Sequence, residues 1–590
     1  MLYITLTSLI APLLIWLTFL INWPTKNKVF PRTAKTTQEK KSANQPIGEK
    51  FTFQLGLAVM ILFIIIKSLI TYFYLSSRNT LSILGANLIW GAIMLAIMIF
   101  FNLNSSNRIS SKKNQIKIGG AILVVLLALV GFGEAHSYLS VKPVANSIKS
   151  TKIASESAPT FKKGVTPVAL SPKTVKNRMN KNMSDVPNSQ YFQLGDIQAQ
   201  YYKGKPVYIA PVEFDGLFKY YSAHQTVPGY FIIDATSVNA EPHFVKKDIK
   251  YTNTSYFNRN AWRRIYSQHP TWLAANGSQP QLEVDDNGTP YYVQTTYKSM
   301  ALSHRINYSK LHVVALNAET GTTKLYTLKH LPKWIDEGIT TEVADSMNEA
   351  YGKYQRGFLN MYLSKTGIQL PTSDSVISTF DKQGNVQYFT DFTNPRSDAD
   401  SALGYSMINA RTGKLVYYKT HGIMDSDGSK ANANNNYKAQ QWKSSMPVIY
   451  NINGKPTWVL SILDDTNAFR GYYYIDAADQ SVHATGDNAN EAVENFRQAL
   501  IDNGSNAGNT SQGTKKQLSG KIDRAVITTK GSSQVLLFTL QGSSTVYTVD
   551  GEDYQKALLT RAGDQIKGTV RMANGKAIGN VTKFVNNNLK

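Results

Sequence analysis

The chain has 590 residues, no cysteine and a formal net charge of +23, so it should divide into several units and lacks the thiols for disulfides, thiolate metal sites or a cysteine nucleophile. The charge is uneven: residues 1–136 hold 13 Lys/Arg against 3 Asp/Glu, residues 137–190 hold 9 against 2, and residues 191–590 hold 41 against 35. The last balance excludes the strongly basic footprint of a nucleic-acid-binding region.

Four apolar runs open the chain at about 3–22, 53–75, 82–103 and 118–136, each close to the roughly 20 residues that carry a helix across a bilayer. They predict a four-helix transmembrane region over 1–136. Lys26, Lys28, Arg32, Lys35, Lys40, Lys41 and Lys50 fill one intervening loop and Arg108, Lys112, Lys113 and Lys117 another, while the turn between the middle runs has only Arg78. The positive-inside rule then places both rich loops in the cytoplasm, and the N-terminus and everything after residue 136 outside it, in the cell envelope. No basic residue precedes the first run, which marks a retained helix rather than a signal peptide. Lys67, near the outer end of the second run, is expected to snorkel to the interface, where Glu134 and His136 should also sit.

Residues 137–190 are rich in Lys, Ser, Thr, Pro and Asn and show no amphipathic period, the composition of a disordered basic tether. A flexible chain of that length spans on the order of 40 Å, and its lysines suit anionic headgroups or wall polymers.

A repeated pattern follows. The motif G-x-P-x-aromatic-V/I occurs as GKPVYI at Gly204, GTPYYV at Gly288 and GKPTWV at Gly454, with a degenerate copy, GNVQYF, at Gly384. A second turn comes after each: DATSVNA from Asp234, NAETGTTKLYTL from Asn317, NARTGKLVYYKT from Asn409 and DAADQSVHATG from Asp476. Gly and Asn/Asp supply positive φ in tight turns, and alternating aromatic and β-branched residues fill one face of a strand, so each copy predicts a small antiparallel sheet. Helical patterns at about 258–274, 339–365 and 488–503 separate several copies, giving α+β repeat modules over 191–335 and 336–503.

The turns Asn317, Ala318, Thr320, Gly321 and Asn409, Ala410, Thr412, Gly413 resemble those of PepSY-like modules, in which a helix precedes a three-stranded sheet closed by a D/N-A-x-T-G hairpin. Over longer stretches, GKYQRGFLN at 352–360, FTNPRSDADSALGYSMINARTG at 392–413 and MPVIYNINGKPTW at 446–458 are similar to a family of large bacterial membrane proteins of Gram-positive type. That likeness brings no catalytic residues with it. After a linker at 504–519, residues 520–590 read as five short strands with one helix between the third and fourth, which resembles an OB-like β-barrel; Phe538, Tyr547, Tyr554 and Phe584 suit its core as well as a stacking surface.

Catalytic patterns are missing from the sequence: there is no H-E-x-x-H, G-x-S-x-G or P-loop, and the nine histidines lack metal-ligand spacing. DSDGSKANANNN from Asp425 has the look of a calcium loop, but Gly428 is out of register and no Glu closes it, so a solvated turn is expected. Asp285 with Asp286, and Asp464 with Asp465, read as hairpin-turn acids. The densest binding candidate is the polar loop that holds Thr393, Asn394, Arg396, Asp398, Asp400 and Ser401. No catalytic residue, metal or cofactor is expected. The leading reading is a noncatalytic binding or assembly scaffold in the membrane, with the lipid bilayer and an anionic wall polymer or an envelope protein as partners and nucleic acid not among them. Two others stay open: an envelope hydrolase acting on wall material, with His421 near the 393–401 loop, and a component of DNA uptake, DNA transfer or phage interaction.

Overall fold

The computed structural model describes residues 1–21, 47–103, 109–153, 170–275, 279–372, 376–381, 383–395, 401–503, 514–530, 533–551, 553–573 and 576–589. Three of its helices are long and apolar enough to cross a membrane, through Phe51–Tyr74, Thr80–Phe101 and Lys113–Leu139.

The first apolar run, expected as a fourth span, divides into Leu2–Thr7 and Ile10–Leu20, and the longer piece has only 11 residues. Pro12, in the first turn of that piece, has no N–H to continue the ladder back to Ser8. Asn87 of the neighbouring helix fills the break. Its Oδ1 accepts the Ala11 N–H at 2.8 Å, and its Nδ2 donates to the Thr7 carbonyl at 2.8 Å. Lys67, expected to snorkel, is buried, and beside it the broken first helix lays Thr5 against Ser68 (3.5 Å).

Beyond the helices the chain repeats one unit four times, a helix followed by four strands. Helix Pro172–Lys181 precedes strands Gln198–Tyr202, Lys205–Phe214, Val227–Asp234 and His243–Ile249. Helix Ala261–Gln268 precedes Gln281–Val284, Pro290–Tyr297, His312–Asn317 and Thr323–Thr327. Helix Thr341–Lys353 precedes Ile377–Phe380, Val386–Thr393, Ser401–Asn409 and Leu415–Met424, and helix Ser426–Asn436 precedes Lys443–Ile452, Lys455–Leu463, Phe469–Asp476 and His483–Gly486. Each strand pairs antiparallel with its sequence neighbours. A further helix, Ala489–Asp502, follows the fourth module's sheet.

The repetition extends to single atoms. Gly204, Gly288, Gly384 and Gly454 make the first turn at φ of +80°, +79°, +86° and +86°, the left-handed region that only glycine enters freely. At the second turn Asp234, Asn317, Asn409 and Asp476 each accept a backbone N–H from two or three residues on. The buried alanines that follow, Ala235, Ala318, Ala410 and Ala477, donate their N–H to the residue two places past the glycine, at 2.9–3.1 Å. Every module helix is capped by a side chain that accepts from the third helical N–H: Ser171, Asn260, Thr340 and Asp425.

One core runs through the first three modules, and a second joins the far face of the third to the fourth through Phe389, Tyr405 and Trp458. The segment 137–190, expected as a disordered tether, contributes to the first core with Val144, Ile148, Leu170, Val175 and Met179. It forms helix Val141–Asn146, strand Ser150–Ile153, which pairs parallel with Leu415–Met424, and helix Pro172–Lys181; residues 154–169 lie outside the described ones. Ser171 and Pro172 explain the last helix, a capping serine followed by proline at the first helical position.

The modules rest directly on the helix ends. Arg78 donates to the Tyr266 carbonyl at 2.7 Å with its guanidinium 3.9 Å from that ring's centre, and the Tyr266 hydroxyl donates to the Ser76 carbonyl at 2.7 Å. At the other contact the His304 ring meets Glu134 at 3.0 Å and Asn79 at 2.8 Å, and Arg305 donates to the Ser137 carbonyl at 3.0 Å. The 75–79 turn and the end of the last long helix therefore face the same way.

The last unit is one five-stranded sheet, in the order Val546–Asp550, Ser533–Leu540, Thr514–Lys530, Gln565–Ala573, Lys576–Asn586, with a short helical turn at Gln555–Leu559. Phe538, Tyr547 and Phe584 are in its core. Among the described residues no ladder closes the sheet. Its first strand takes in 514–519, the end of the expected linker, while 504–513 lie outside the described residues.

Candidate functional site

The motif aromatic is buried in all four modules, and in three its polar tip does the same work. Tyr208 donates to the Leu170 carbonyl (3.2 Å), Tyr388 to Ile339 (2.9 Å) and the Trp458 indole to Met424 (3.0 Å). Each acceptor is the residue just before the cap of that module's own helix, so the contact pins helix to sheet. Module two departs from the rule: the Tyr292 hydroxyl donates instead to Glu213 Oε1, at 3.5 Å, across the seam with module one.

That seam is open as a cleft of about 580 Å³ lined by Lys173, Lys176, Asp196, Glu213, Asn253, Tyr292 and Glu342, among others. Glu213 is buried, and burial together with the Asp196 charge pushes its carboxyl up to about 7, partly offset by the Tyr292 hydrogen bond. A buried acid in a cleft, its carboxyl raised by desolvation and a neighbouring charge, is a functional-site candidate. Behind it, Glu283 is fully buried and accepts the Asp336 and Glu337 N–H groups at 2.7 and 3.1 Å, while Asp336 accepts from the Tyr201 N–H at 2.7 Å. Burial raises all three carboxyls, helped for Glu283 by the Asp336 charge and for Glu337 by Glu283. Each acid therefore tends to its neutral form, since stripping a carboxylate of water disfavours the charge.

A second cavity, of about 520 Å³, lies where Ser150–Ile153 joins the third sheet. Lys149, Lys329 and Lys414 line it with Ser150, Thr151, Thr412 and Leu328. Its lining holds three cations, three hydroxyls and no acid, which suits an anionic oxygen-rich ligand. Thr412 belongs to the repeated turn and Lys149 to the basic segment 137–190.

Of the loop expected to bind, Thr393 ends one strand and donates to the Ser401 carbonyl at 3.3 Å, with Asn394 following it and Ser401 opening the next strand. Arg396, Asp398 and Asp400 lie outside the described residues. His421 is exposed on strand Leu415–Met424. The expected solvated turn at Asp425 is a helix start: Asp425 caps Ser426–Asn436 by accepting the Gly428 N–H at 2.9 Å, and Asp427 pairs with Lys430 at 2.8 Å. Asp285 accepts two turn N–H groups, as a hairpin acid should. Asp464 does likewise; burial pushes its carboxyl up, but bonds from Thr466, Ala468 and Arg470 outweigh this and hold it at about 2. No motif in the sequence marks these acids: Glu213 and Glu283 are single carboxylates in apolar strands (PVEF, QLEV), and Asp336 and Glu337 are neighbours in a turn (WIDEG).

The chain matches no protein-family model and no curated protein. Solved structures with some likeness include the levansucrase of Bacillus subtilis, 9% identical, with a TM-score of 0.15 over 72% of this chain and 98% of that one. The levansucrase of B. megaterium is 11% identical, with 0.16 over 72% and 97%, and the apocarotenoid oxygenase of Synechocystis 6% identical, with 0.13 over 67% and 65%. At such low scores these likenesses carry no argument about fold or chemistry.

Proposed function

We propose that this chain is a membrane-anchored cell-envelope protein whose repeated modules form a noncatalytic binding scaffold outside the cytoplasm, with an anionic wall polymer as ligand. The lysine-lined cavity carries this reading: Lys149, Lys329 and Lys414 converge with three hydroxyls from two modules and the segment that leads out of the membrane helices. The lysine-rich loops 23–52 and 104–117 support the orientation. The test is retention of purified anionic wall polymer by the full chain, wild type against Lys149→Glu, Lys329→Glu, Lys414→Glu. Binding should fall steeply with salt and be lost in the triple variant; equal retention by both proteins sinks the reading. Orientation is read from Gln480→Cys, an exposed site, with a membrane-impermeant thiol reagent: labelling only after lysis would invert the topology.

A second reading, an envelope hydrolase, is favoured by Glu213 alone, a buried acid whose carboxyl is raised by desolvation beside a second carboxylate in a cleft. Hydrolysis of wall material that is lost in Glu213→Gln would establish it, and its absence in wild type would remove it. For the finer architecture, the helix-then-sheet order and the Asn-Ala turns support PepSY-like modules. Strand order and the helical turn after the third strand support an OB-like barrel at the C-terminus. Backbone pairing between Val546–Asp550 and Lys576–Asn586 measured by NMR would show closure, and no such pairing would leave an open sheet.

A further inference from the structure

Seven large apolar side chains are exposed among the described residues from 140 to 503, and they form two patches. One holds Leu217, Phe218, Tyr221 and Phe257, the other Leu359, Tyr362 and Leu363; Phe218 is 87% exposed and Leu363 77%. A soluble surface scatters such residues singly, so their concentration needs a cause.

Both patches adjoin an end of a long apolar helix. At the first, Arg263 donates to the Phe257 carbonyl at 3.0 Å and to the Tyr72 carbonyl at 3.0 Å, with its guanidinium 4.6 Å from the Tyr72 ring centre. Tyr72 lies in the last turn of Phe51–Tyr74, where Phe73 and Tyr74 are exposed. Tyr220 meets Tyr221 edge to face (5.3 Å) and Tyr256 at a tilt (5.4 Å), tying helix Leu217–Ser222 to the Phe257 segment. At the second, Gly357 packs by Lys142, and Tyr354 meets Arg305, which holds the Ser137 carbonyl beside the exposed Tyr138 and Leu139. The helix ends fix the level of the membrane surface, because the apolar stretch stops there. Lys219, which is paired with Asp215, and Arg259 border the first patch, Lys142, Arg356 and Lys365 the second. Aromatic and leucine side chains ringed by cations are what the interfacial layer of an anionic bilayer accommodates.

We propose that these two patches insert into the interfacial layer of the bilayer beside the helix ends, so that modules one and three lie against the lipid surface. The inference rests on the long helices crossing the membrane and is independent of the ligand proposed above.

The cysteine-free sequence allows a clean test on the full chain in nanodiscs of phosphatidylcholine and phosphatidylglycerol. Phe218→Cys, Leu363→Cys and the reference Gln480→Cys each carry a fluorophore. Lipid bearing a spin label near its headgroup should quench the first two several-fold more than the third, while aqueous iodide should show the reverse order. Iodide quenching at 218 and 363 equal to that at 480, without quenching by the labelled lipid, would overturn the proposal. Protection from iodide only when other envelope proteins are present would overturn it too, in favour of a protein partner.

Discussion

Tyr292 has the same place in its module as Tyr208, Tyr388 and Trp458, yet it turns its hydroxyl to Glu213. A local rule kept three times and broken once marks a departure from the modules' internal consistency. The exchange leaves a titratable group in the fold, and its sign can be worked out. Burial, then the Asp196 charge, raise the Glu213 carboxyl from 4.5 to about 7, so the folded chain binds this proton more tightly than the unfolded chain. The resulting stability is fully present below about pH 4.5 and is lost as pH rises through 7, amounting to ~3 kcal/mol over that window. Glu283, Asp336 and Glu337 act in the same direction. Glu213→Gln keeps an acceptor for Tyr292 and removes one titration, so its melting midpoint should exceed that of wild type at pH 8 and vary less between pH 4.5 and 8. A variant whose midpoint tracked wild type across that range would show Glu213 to be charged and solvated in the fold.

At the scale of elements the four first turns share a glycine but not its surroundings. Alanine at Gly454 would meet nothing within 4 Å, whereas at Gly384 its Cβ would fall 2.3 Å from the Tyr201 ring. Both substitutions cost about 1–2 kcal/mol for a left-handed conformation, and only Gly384→Ala also displaces Tyr201 from the seam of modules one and three. Its denaturation midpoint should drop clearly further than that of Gly454→Ala; equal drops would mean that Tyr201 does not hold that seam. These turns were legible in the sequence because positive φ and a buried aromatic constrain residue type locally. Helices Pro172–Lys181 and Ser426–Asn436 were not. The second buries only Ser426, Ser429 and Ala433, so no apolar stripe marks it, and its cap and the sheet it precedes define it. The signal that could have found both is the repeat itself, since a helix opens every module. The cleft was illegible for a related reason: Glu213 and Tyr292 come from strands of two modules, and only the packing of those modules brings them together.

For the whole molecule, the main departure from expectation is how the modules meet the membrane helices. Composition made 137–190 a flexible spacer, because lysine, serine and asparagine outnumber its apolar residues. Six buried side chains, Val144, Ile148, Leu170, Val175, Met179 and Val186, nevertheless suffice to fasten it, since the surface they pack on is supplied by the modules and not by the segment itself. Arg78 with Tyr266 and Arg305 with Ser137 then join modules to helix ends. A free tether would let the modules wander over distances on the order of 40 Å, whereas these contacts fix both position and orientation. Spin labels at Lys113→Cys and Gln480→Cys, both exposed positions, measure the difference by pulsed dipolar spectroscopy in nanodiscs. The distance distribution should be narrow in the otherwise wild-type chain and should broaden when Arg78→Ala and Arg305→Ala are combined, because the docking bonds go while the module cores stay. A distribution already broad without those two substitutions would show the modules to be leashed, and the contacts at Tyr266 and Ser137 would then not govern how the protein stands on the membrane.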